Sequence, residues 1–131
     1  MLDTNICSYF IKNNPACVRT RLQASIDDGI AISTIVLAEL VYGVEASAFP
    51  EKNRYTLYKT LVFADIRPFG NSAVATYGKL RAALRKRGTP IGLMDMLIAA
   101  HAISEGLTLV TNNVREFERV EGLSIVNWAV P

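Results

Sequence analysis

Cysteine and histidine are scarce in this chain of 131 residues, which holds two cysteines and one histidine. Cys7 and Cys17 match no spacing known for a paired metal or redox site, which argues against a disulfide scaffold and a cysteine-rich zinc domain. Isolated cysteines suit a reducing compartment, where the thiol packs as a small apolar group. We therefore expect a cytoplasmic protein with free thiols.

Long apolar runs are also missing. The stretch 91–110 comes closest to the roughly 18 residues of a membrane span, but Asp95, His101 and Glu105 interrupt it. The first positive charge, Lys12, follows the apolar N-terminal stretch rather than preceding it, unlike the order in a signal peptide. We expect no membrane association.

The chain has no strong excess of charge of one sign, since its formal net charge is +2. This value is too small to indicate a nucleic-acid partner by itself, although local clusters of basic residues still matter. Half of the residues are hydrophobic and a fifth are charged, which is typical of a globular protein. The length favours one domain covering residues 1–131.

Short strand-like segments alternate with longer helical patterns, and this alternation predicts a parallel sheet covered by helices on both faces. Ser33 or Thr34 is expected to cap one helix, and Asn71 or Ser72 another, which Gly88 would end. The segment 93–104 is apolar on nearly all sides, so we predict a buried helix. The predicted strands are 1–3, 30–32, 64–68, 107–110 and 124–126. The other predicted helices begin near Ile6 and cover 15–29, 34–44, 50–62 and 71–87.

Three carboxylates fall at informative positions: Asp3 ends the first strand, Glu39 lies in the helix after the second, and Asp95 begins the buried helix. Ligands of such folds gather beyond the carboxyl ends of the strands. Asp95 has apolar neighbours, and a buried charge needs a cation, a cap or hydrogen-bond donors. Helix capping by Asp3, a favourable helix dipole at Asp95 and a solvent-facing Glu39 remain alternatives, because spacing alone does not show that the three meet.

If these acids converge, their mutual repulsion favours a hard divalent cation. Oxygen ligands favour magnesium or manganese over zinc, which usually takes histidine or cysteine. Such an ion activates water and neutralises phosphate charge, which is the chemistry of phosphodiester hydrolysis.

Four segments carry these acids and their polar neighbours in order along the chain: Met-Leu-Asp-Thr-Asn at 1–5, Glu-Leu-Val-Tyr-Gly at 39–43, Pro-Ile-Gly at 90–92 with 95–102, and Leu-Val-Thr-Asn-Asn at 109–113 with 116–117. The first resembles the opening motif of PIN domains. The ordered set resembles the VapC-type toxins of bacterial toxin–antitoxin pairs.

The resemblance implies an α/β/α sandwich with a central parallel sheet, in which Asp3, Glu39 and Asp95 converge at one metal site. It implies an endoribonuclease that uses Mg²⁺ or Mn²⁺, with transfer RNA as the expected substrate. It further implies inhibition by a cognate antitoxin and a homodimer.

The chain departs from the family pattern at Asn113, where many PIN domains carry aspartate. Asparagine is a neutral oxygen ligand that would hold a metal less tightly. Glu116 would supply the missing charge if this segment is helical. The sequence leaves open which of the two completes the metal site.

Three polar residues beside the acids, Thr4, Asn5 and Thr111, are candidates for orienting a water or a carboxylate. Local capping is an equally good interpretation of Thr4 and Asn5. Arg81 and Arg85 share one helix face and are candidates for binding RNA phosphates. The alternative for these arginines is a solvated face with cations favoured at a helix C-terminus.

His101 lies six positions after Asp95, about 120° away around a helix. We therefore expect a packed or partner-facing histidine rather than a metal ligand. The aromatic residues Tyr42, Tyr55, Tyr58 and Phe63 are expected in the core or at an interface.

Two other functions compete with the nuclease. The first is a catalytically weak PIN domain that acts as a protein-binding or repressor partner, which Asn113 motivates. The second is a phosphoacceptor domain, but Asp3 lacks the acidic neighbour and the chain lacks the late lysine that such domains typically have.

Overall fold

The computed structural model describes all residues from 1 to 131, which form seven α-helices and four short strands. The elements in chain order are α1 (Thr4–Lys12), α2 (Ala16–Ser25), β1 (Ala31–Ser33), α3 (Thr34–Glu45), α4 (Pro50–Thr60), β2 (Asp65–Arg67), α5 (Asn71–Arg87), α6 (Leu93–Ser104), β3 (Leu109–Val110), α7 (Val114–Phe117) and β4 (Ile125–Val126). None of these helices combines the length and the apolar character that a membrane crossing requires.

The strands pair in parallel, β1 with β2 and β3 with β4. The first three residues join the two pairs. The backbone N–H of Leu2 donates to Ala31 (3.0 Å), and the N–H of Val110 donates to Met1 (2.8 Å). Leu2 also forms a parallel bridge with Val110. The spatial order is therefore β2, β1, residues 1–3, β3 and β4, and the predicted central parallel sheet is confirmed.

Helix α6 lies in the core, as its apolar sequence predicted. Ile98, Ala99, Ala100 and Ala102 are each at most 1% exposed. Burying a side chain of isoleucine size contributes roughly 1.5–3 kcal/mol, and the small alanines allow neighbouring elements to approach closely. Because α6 packs along α5 and is held on several sides, the position of Asp95 in its first turn is fixed.

Local sequence signals explain several helix ends. The Ser33 hydroxyl accepts a hydrogen bond from the Ile35 N–H and caps α3. Gly88 ends α5 at a φ of 69°, a conformation that favours glycine. The capping prediction for Asn71 or Ser72 is wrong, because Gly70 holds the extended N-cap position and provides no side-chain cap.

The other boundaries differ by a few residues. Helix α2 ends at Ser25, because a short 3₁₀ turn (Ile26–Asp28) and a positive φ at Gly29 follow it, and α4 ends at Thr60. The strands have only two or three residues, shorter than predicted at 64–68 and 107–110. The fold was thus predicted more accurately than its strand lengths.

Candidate active site

Asp3 follows the N-terminal strand segment and is 4% exposed. Its Oδ1 accepts a hydrogen bond from the Ile6 N–H (2.8 Å), so Asp3 caps α1 as well as lying at the carboxyl end of the central strand segment. Burial raises the pKa of Asp3, and the charge of Glu39 raises it further. A hydrogen bond from the Thr111 side chain acts in the opposite direction. Asp3 is therefore a buried acid that interacts electrostatically with Glu39.

Glu39 lies in the middle of α3 and is held by α1. The Thr4 hydroxyl donates a hydrogen bond of 2.7 Å to its Oε1, across 35 positions in sequence. Because the hydroxyl fixes one carboxylate oxygen, the side chain of Glu39 is directed towards α1 rather than free in solvent. The contact places Thr4 as the residue that orients this acid.

Asp95 lies in the first turn of α6 and is half-buried. Its pKa is raised to about 6, first by burial, then by a hydrogen bond with the Glu116 carboxyl and by the charge of that group. The charges of Glu39 and Asp3 raise it further. Four carboxyl groups from distant segments therefore influence one another at this edge of the sheet.

Negative charge at this cluster is uncompensated, because the charged groups that shift the pKa values of Asp3 and Asp95 are all carboxylates. No three His, Cys, Asp or Glu side chains already stand as a closed metal-ligand set. The acids therefore influence one another's charge without yet standing at ligand distances, because charge coupling acts over longer distances than an oxygen–metal bond of about 2 Å. An all-oxygen set with excess negative charge fits Mg²⁺ or Mn²⁺.

The segment after β3 brings Glu116, rather than Asn113, into contact with Asp95. Asn113 is the residue before α7, and its backbone N–H donates to the Thr111 hydroxyl (2.9 Å). Helix α7 is short but anchored by Phe117, which is 1% exposed. This helix directs Glu116 to the Asp95 carboxyl.

Asn5 lies beside the site, where its backbone N–H donates to the Asp3 carboxyl while its side chain is directed to Asn112. Its amide is 3.5 Å from the Asn112 side-chain oxygen, and the Asn112 amide donates to the Tyr9 hydroxyl (2.8 Å). Asn112 was not among the predicted site residues. Its place directly after Thr111 in the Leu-Val-Thr-Asn-Asn segment was the only available signal.

Arg81 and Arg85 lie on the exposed side of α5, outside the acid cluster. They line a cleft of about 370 Å³ together with Leu93 and Met96, which flank Asp95 on α6. Arg81 also donates a hydrogen bond of 2.6 Å to the Tyr77 hydroxyl. The two arginines therefore lie near the first turn of α6, in a cleft that none of the acids lines.

His101 is packed, as expected, and lies against Ser33 rather than against the acids.

The expectation of a core or interface position is met in part for the aromatic residues. Phe63 packs edge-on against Phe10 with ring centres 5.5 Å apart. The tyrosines at 42, 55 and 58 are 74%, 67% and 53% exposed, so a core position is wrong for them and an interface stays a prediction.

Comparison with known proteins supports the same assignment. A family model described as PIN domain matches residues 1–123. The tRNA(fMet)-specific endonuclease VapC of Shigella flexneri is 45% identical over 129 residues, covering 98% of this chain and 97% of that protein. Ribonuclease VapC2 of Rickettsia felis is 46% identical, covering 98% and 96%.

Among solved structures, VapBC2 from Rickettsia felis bound to a DNA fragment from its promoter superposes with a TM-score of 0.93 and 45% identity, covering 98% of this chain and 97% of that one. The family, the fold class and the assignment as an endoribonuclease that were predicted from the sequence are confirmed. The chain belongs to the PIN-domain family, within its VapC-type ribonucleases.

Proposed function

We propose that this chain is a Mg²⁺- or Mn²⁺-dependent endoribonuclease toxin that hydrolyses phosphodiester bonds of transfer RNA and is held inactive by a cognate antitoxin. The observation that carries the metal-dependent chemistry is the clustering of Asp3, Glu39, Asp95 and Glu116 without a cationic side chain among them. A divalent cation would relieve the repulsion that raises the pKa of Asp95.

In this mechanism, Asp3, Glu39 and Asp95 would hold the ion, and Glu116 would add negative charge through its contact with Asp95. Asn113 is the neutral alternative to Glu116 as the last ligand. When bound, the ion supplies an activated water and stabilises charge on the phosphate.

The neighbouring polar groups prepare the acids for this role. The Thr4 hydroxyl fixes the rotamer of Glu39, and the Thr111 side chain stabilises the charged form of Asp3. Asn5 extends this polar surface towards Asn112, where it is exposed to an incoming substrate.

The cleft that Arg81 and Arg85 line is the proposed RNA track, because phosphate contacts from arginine position a nucleic acid. Arg81→Ala with Arg85→Ala should weaken RNA binding and reduce the slope of log affinity against log salt by roughly 1–2. Binding is measured on an Asp95→Asn background, so that cleavage does not interfere. Lys52→Ala, at another exposed basic residue, is the control and should leave the slope unchanged.

Transfer RNA as substrate and an antitoxin as partner are supported by the relatives. The Shigella flexneri protein is named for cleavage of tRNA(fMet), and the Rickettsia felis structure is a VapBC2 complex. The exposed tyrosines on α3 and α4 provide apolar surface for a protein partner or a second copy in a homodimer. Because transfer RNA is the proposed substrate, we propose a cytoplasmic location.

Replacement of Asp95 by Asn, followed by RNA cleavage assays with Mg²⁺ or Mn²⁺, tests this function. Cleavage at the original rate by the variant would reject the role given to Asp95.

A second candidate is a catalytically weak domain that acts chiefly as a partner in a repressor complex. Asn113 and the promoter DNA in the Rickettsia felis complex favour it. Calorimetric titration with Mn²⁺ separates the two candidates, since only the nuclease requires a bound divalent ion. Binding that is lost in Asp95→Asn supports the nuclease, and absence of binding to the unmodified protein supports the repressor partner.

A further inference from the structure

A buried histidine on the same helix as Asp95 takes no part in the mechanism above. The side chain of His101 is 1% exposed, and its Nδ1 lies 2.7 Å from the Ser33 hydroxyl, which is itself fully buried. We infer that this hydrogen bond sets the alignment of α3 against α6 and thereby the separation of Glu39 from Asp95. His101 is then a positioning residue for the metal site, an inference that rests on the proposed function.

The arrangement of the two helices carries the argument. Ser33 precedes α3 and Glu39 follows Ser33 by six residues, whereas Asp95 lies in the first turn of α6 and His101 follows Asp95 by six residues. Because Ser33 touches His101 while Glu39 influences Asp95, the helices run in opposite directions. The two contact points lie about 9 Å apart along each axis, at 1.5 Å per residue. A shift at the histidine therefore changes how the acids face each other.

The Ser33–His101 bond is the only hydrogen bond that joins α3 or its cap to α6. The Ser33 hydroxyl accepts from the Ile35 N–H (3.0 Å), so its own hydrogen is available to the Nδ1 of His101. One hydroxyl thus caps α3 and binds α6, and the start of the helix that carries Glu39 is fixed against the helix that carries Asp95.

The other ring nitrogen makes a poorer contact. Nε2 lies 3.1 Å from Oε2 of Glu105, four residues later on the same chain, but at an angle that does not form a good hydrogen bond. Arg67 holds that carboxylate with two nitrogens, at 2.7 and 3.0 Å. Since Glu105 closes α6 itself, this side of the ring does not connect α6 to α3. The Nδ1 side is the one that matters for alignment.

Two amide variants separate the two sides of the ring. In His101→Asn the amide falls close to the position of Nδ1 and keeps a partner for Ser33. In His101→Gln the longer side chain reaches the position of Nε2 and leaves Ser33 without one. Both variants lose part of the ring packing against Phe69, so they serve as matched controls for stability.

The experiment uses the full chain and measures Mn²⁺ affinity by calorimetry, kcat and KM for RNA cleavage, and thermal unfolding. We expect His101→Asn to stay within about threefold of the unmodified protein in Mn²⁺ affinity and kcat. His101→Gln should lose about 10–100-fold in both, the range for groups that orient metal ligands, with KM changed less than threefold. Ser33→Ala should match His101→Gln, and the double variant should lose no more than either.

Equal Mn²⁺ affinity in the two amide variants, or losses that follow only their unfolding temperatures, would overturn the inference. If His101→Gln does not fold, the comparison of Ser33→Ala with Ser33→Thr, which keeps the hydroxyl, decides in the same way. An unmodified protein that neither binds Mn²⁺ nor cleaves RNA would reject the proposed function itself. Independently of metal binding, a crystal structure of His101→Gln in which the separation of Glu39 from Asp95 is unchanged would reject the alignment role of His101.

Discussion

Two carboxylate clusters in different parts of the molecule show opposite electrostatics. At the edge where the strands end, Asp95 has a pKa raised to about 6, because it is buried and surrounded by other acids. Beside β2 and the end of α6, Arg67 binds Glu105 and Asp65. There the pKa of Glu105 is lowered, chiefly by hydrogen bonds from Arg67. The carboxylate charge is therefore destabilised in the first cluster and stabilised by a cation in the second.

This difference indicates which cluster a bound cation would stabilise more. A carboxylate that is already paired with a cation is stabilised little by a second cation. A carboxylate whose pKa is raised by neighbouring acids is stabilised by any positive charge that binds beside it. We therefore assign the proposed metal site to the unpaired cluster, and the paired cluster contributes to the architecture. The predictions below alter one cluster or the other.

Asp95→Asn should produce the largest effect. We expect cleavage to fall by more than about 100-fold, beyond the range typical of groups that only orient a ligand. Because the change removes a repelled charge, the metal-free variant should unfold at a higher temperature than the unmodified protein at pH 7. RNA cleavage assays and calorimetric scans measure the two effects. A less stable variant with full activity would contradict both.

Thr4→Val removes the hydroxyl that holds Glu39 and keeps the side-chain volume similar. We expect metal affinity and kcat to fall about 10–100-fold, since one ligand is no longer oriented. Thr20→Val, on an exposed part of α2, is the control and should leave both unchanged. Calorimetric titration with Mn²⁺ gives the affinity, and the account is weakened if the two variants behave alike.

Lowering the pH should reverse the repulsion at the acid cluster. Protons compete with metal below a pKa of about 6, so Mn²⁺ affinity should fall about fivefold from pH 6 to pH 5 if one proton is involved. The raised pKa of Asp95 means that the folded state holds the extra proton between about pH 6 and the unfolded value of 3.8. Burial and repulsion of the charged Asp95 carboxylate therefore cost stability fully above pH 6 and progressively less below it.

The stability part of this prediction is read from the difference between Asp95→Asn and the unmodified protein. This difference cancels the titration of His101, whose lowered pKa acts in the opposite direction. The advantage of the variant in unfolding temperature should be largest at pH 7 and shrink towards pH 4. An advantage that grows as the pH falls would show that Asp95 is not repelled by its neighbours.

Arg67→Ala should have the smallest effect on the site, because it changes only the paired cluster. We expect a lower unfolding temperature, since Glu105 and Asp65 lose their cation, and Mn²⁺ affinity unchanged within about twofold. Exposed ion pairs contribute little each, so the stability loss should be modest. A tenfold change in metal affinity would show that the two clusters are coupled.

Local signals made the helices predictable from sequence. The bounds of α6 followed from its apolar residues, and the end of α5 followed from Gly88. The strands were less predictable because their pairing depends on distant partners, such as Leu2 with Ala31. A two-residue strand has too few side chains to reveal its own limits.

The acids of the site were predictable only in part. Asp3, Glu39 and Asp95 could be selected because their motifs follow the order of a known family. The choice between Asn113 and Glu116 depends on how a four-residue helix directs its side chains, which no sequence spacing determines. The Ser33–His101 bond spans 68 positions and joins two residues that looked like an ordinary cap and an ordinary core histidine.

The most direct test of the uncompensated acid cluster is a crystal of this chain soaked in Mn²⁺ and measured for anomalous scattering. The account predicts one or more strong peaks about 2 Å from carboxylate oxygens of Asp3 and Asp95. It predicts no peak beside Glu105, where Arg67 already pairs the charge. A peak at Glu105, or none among the acids at the strand ends, would contradict it.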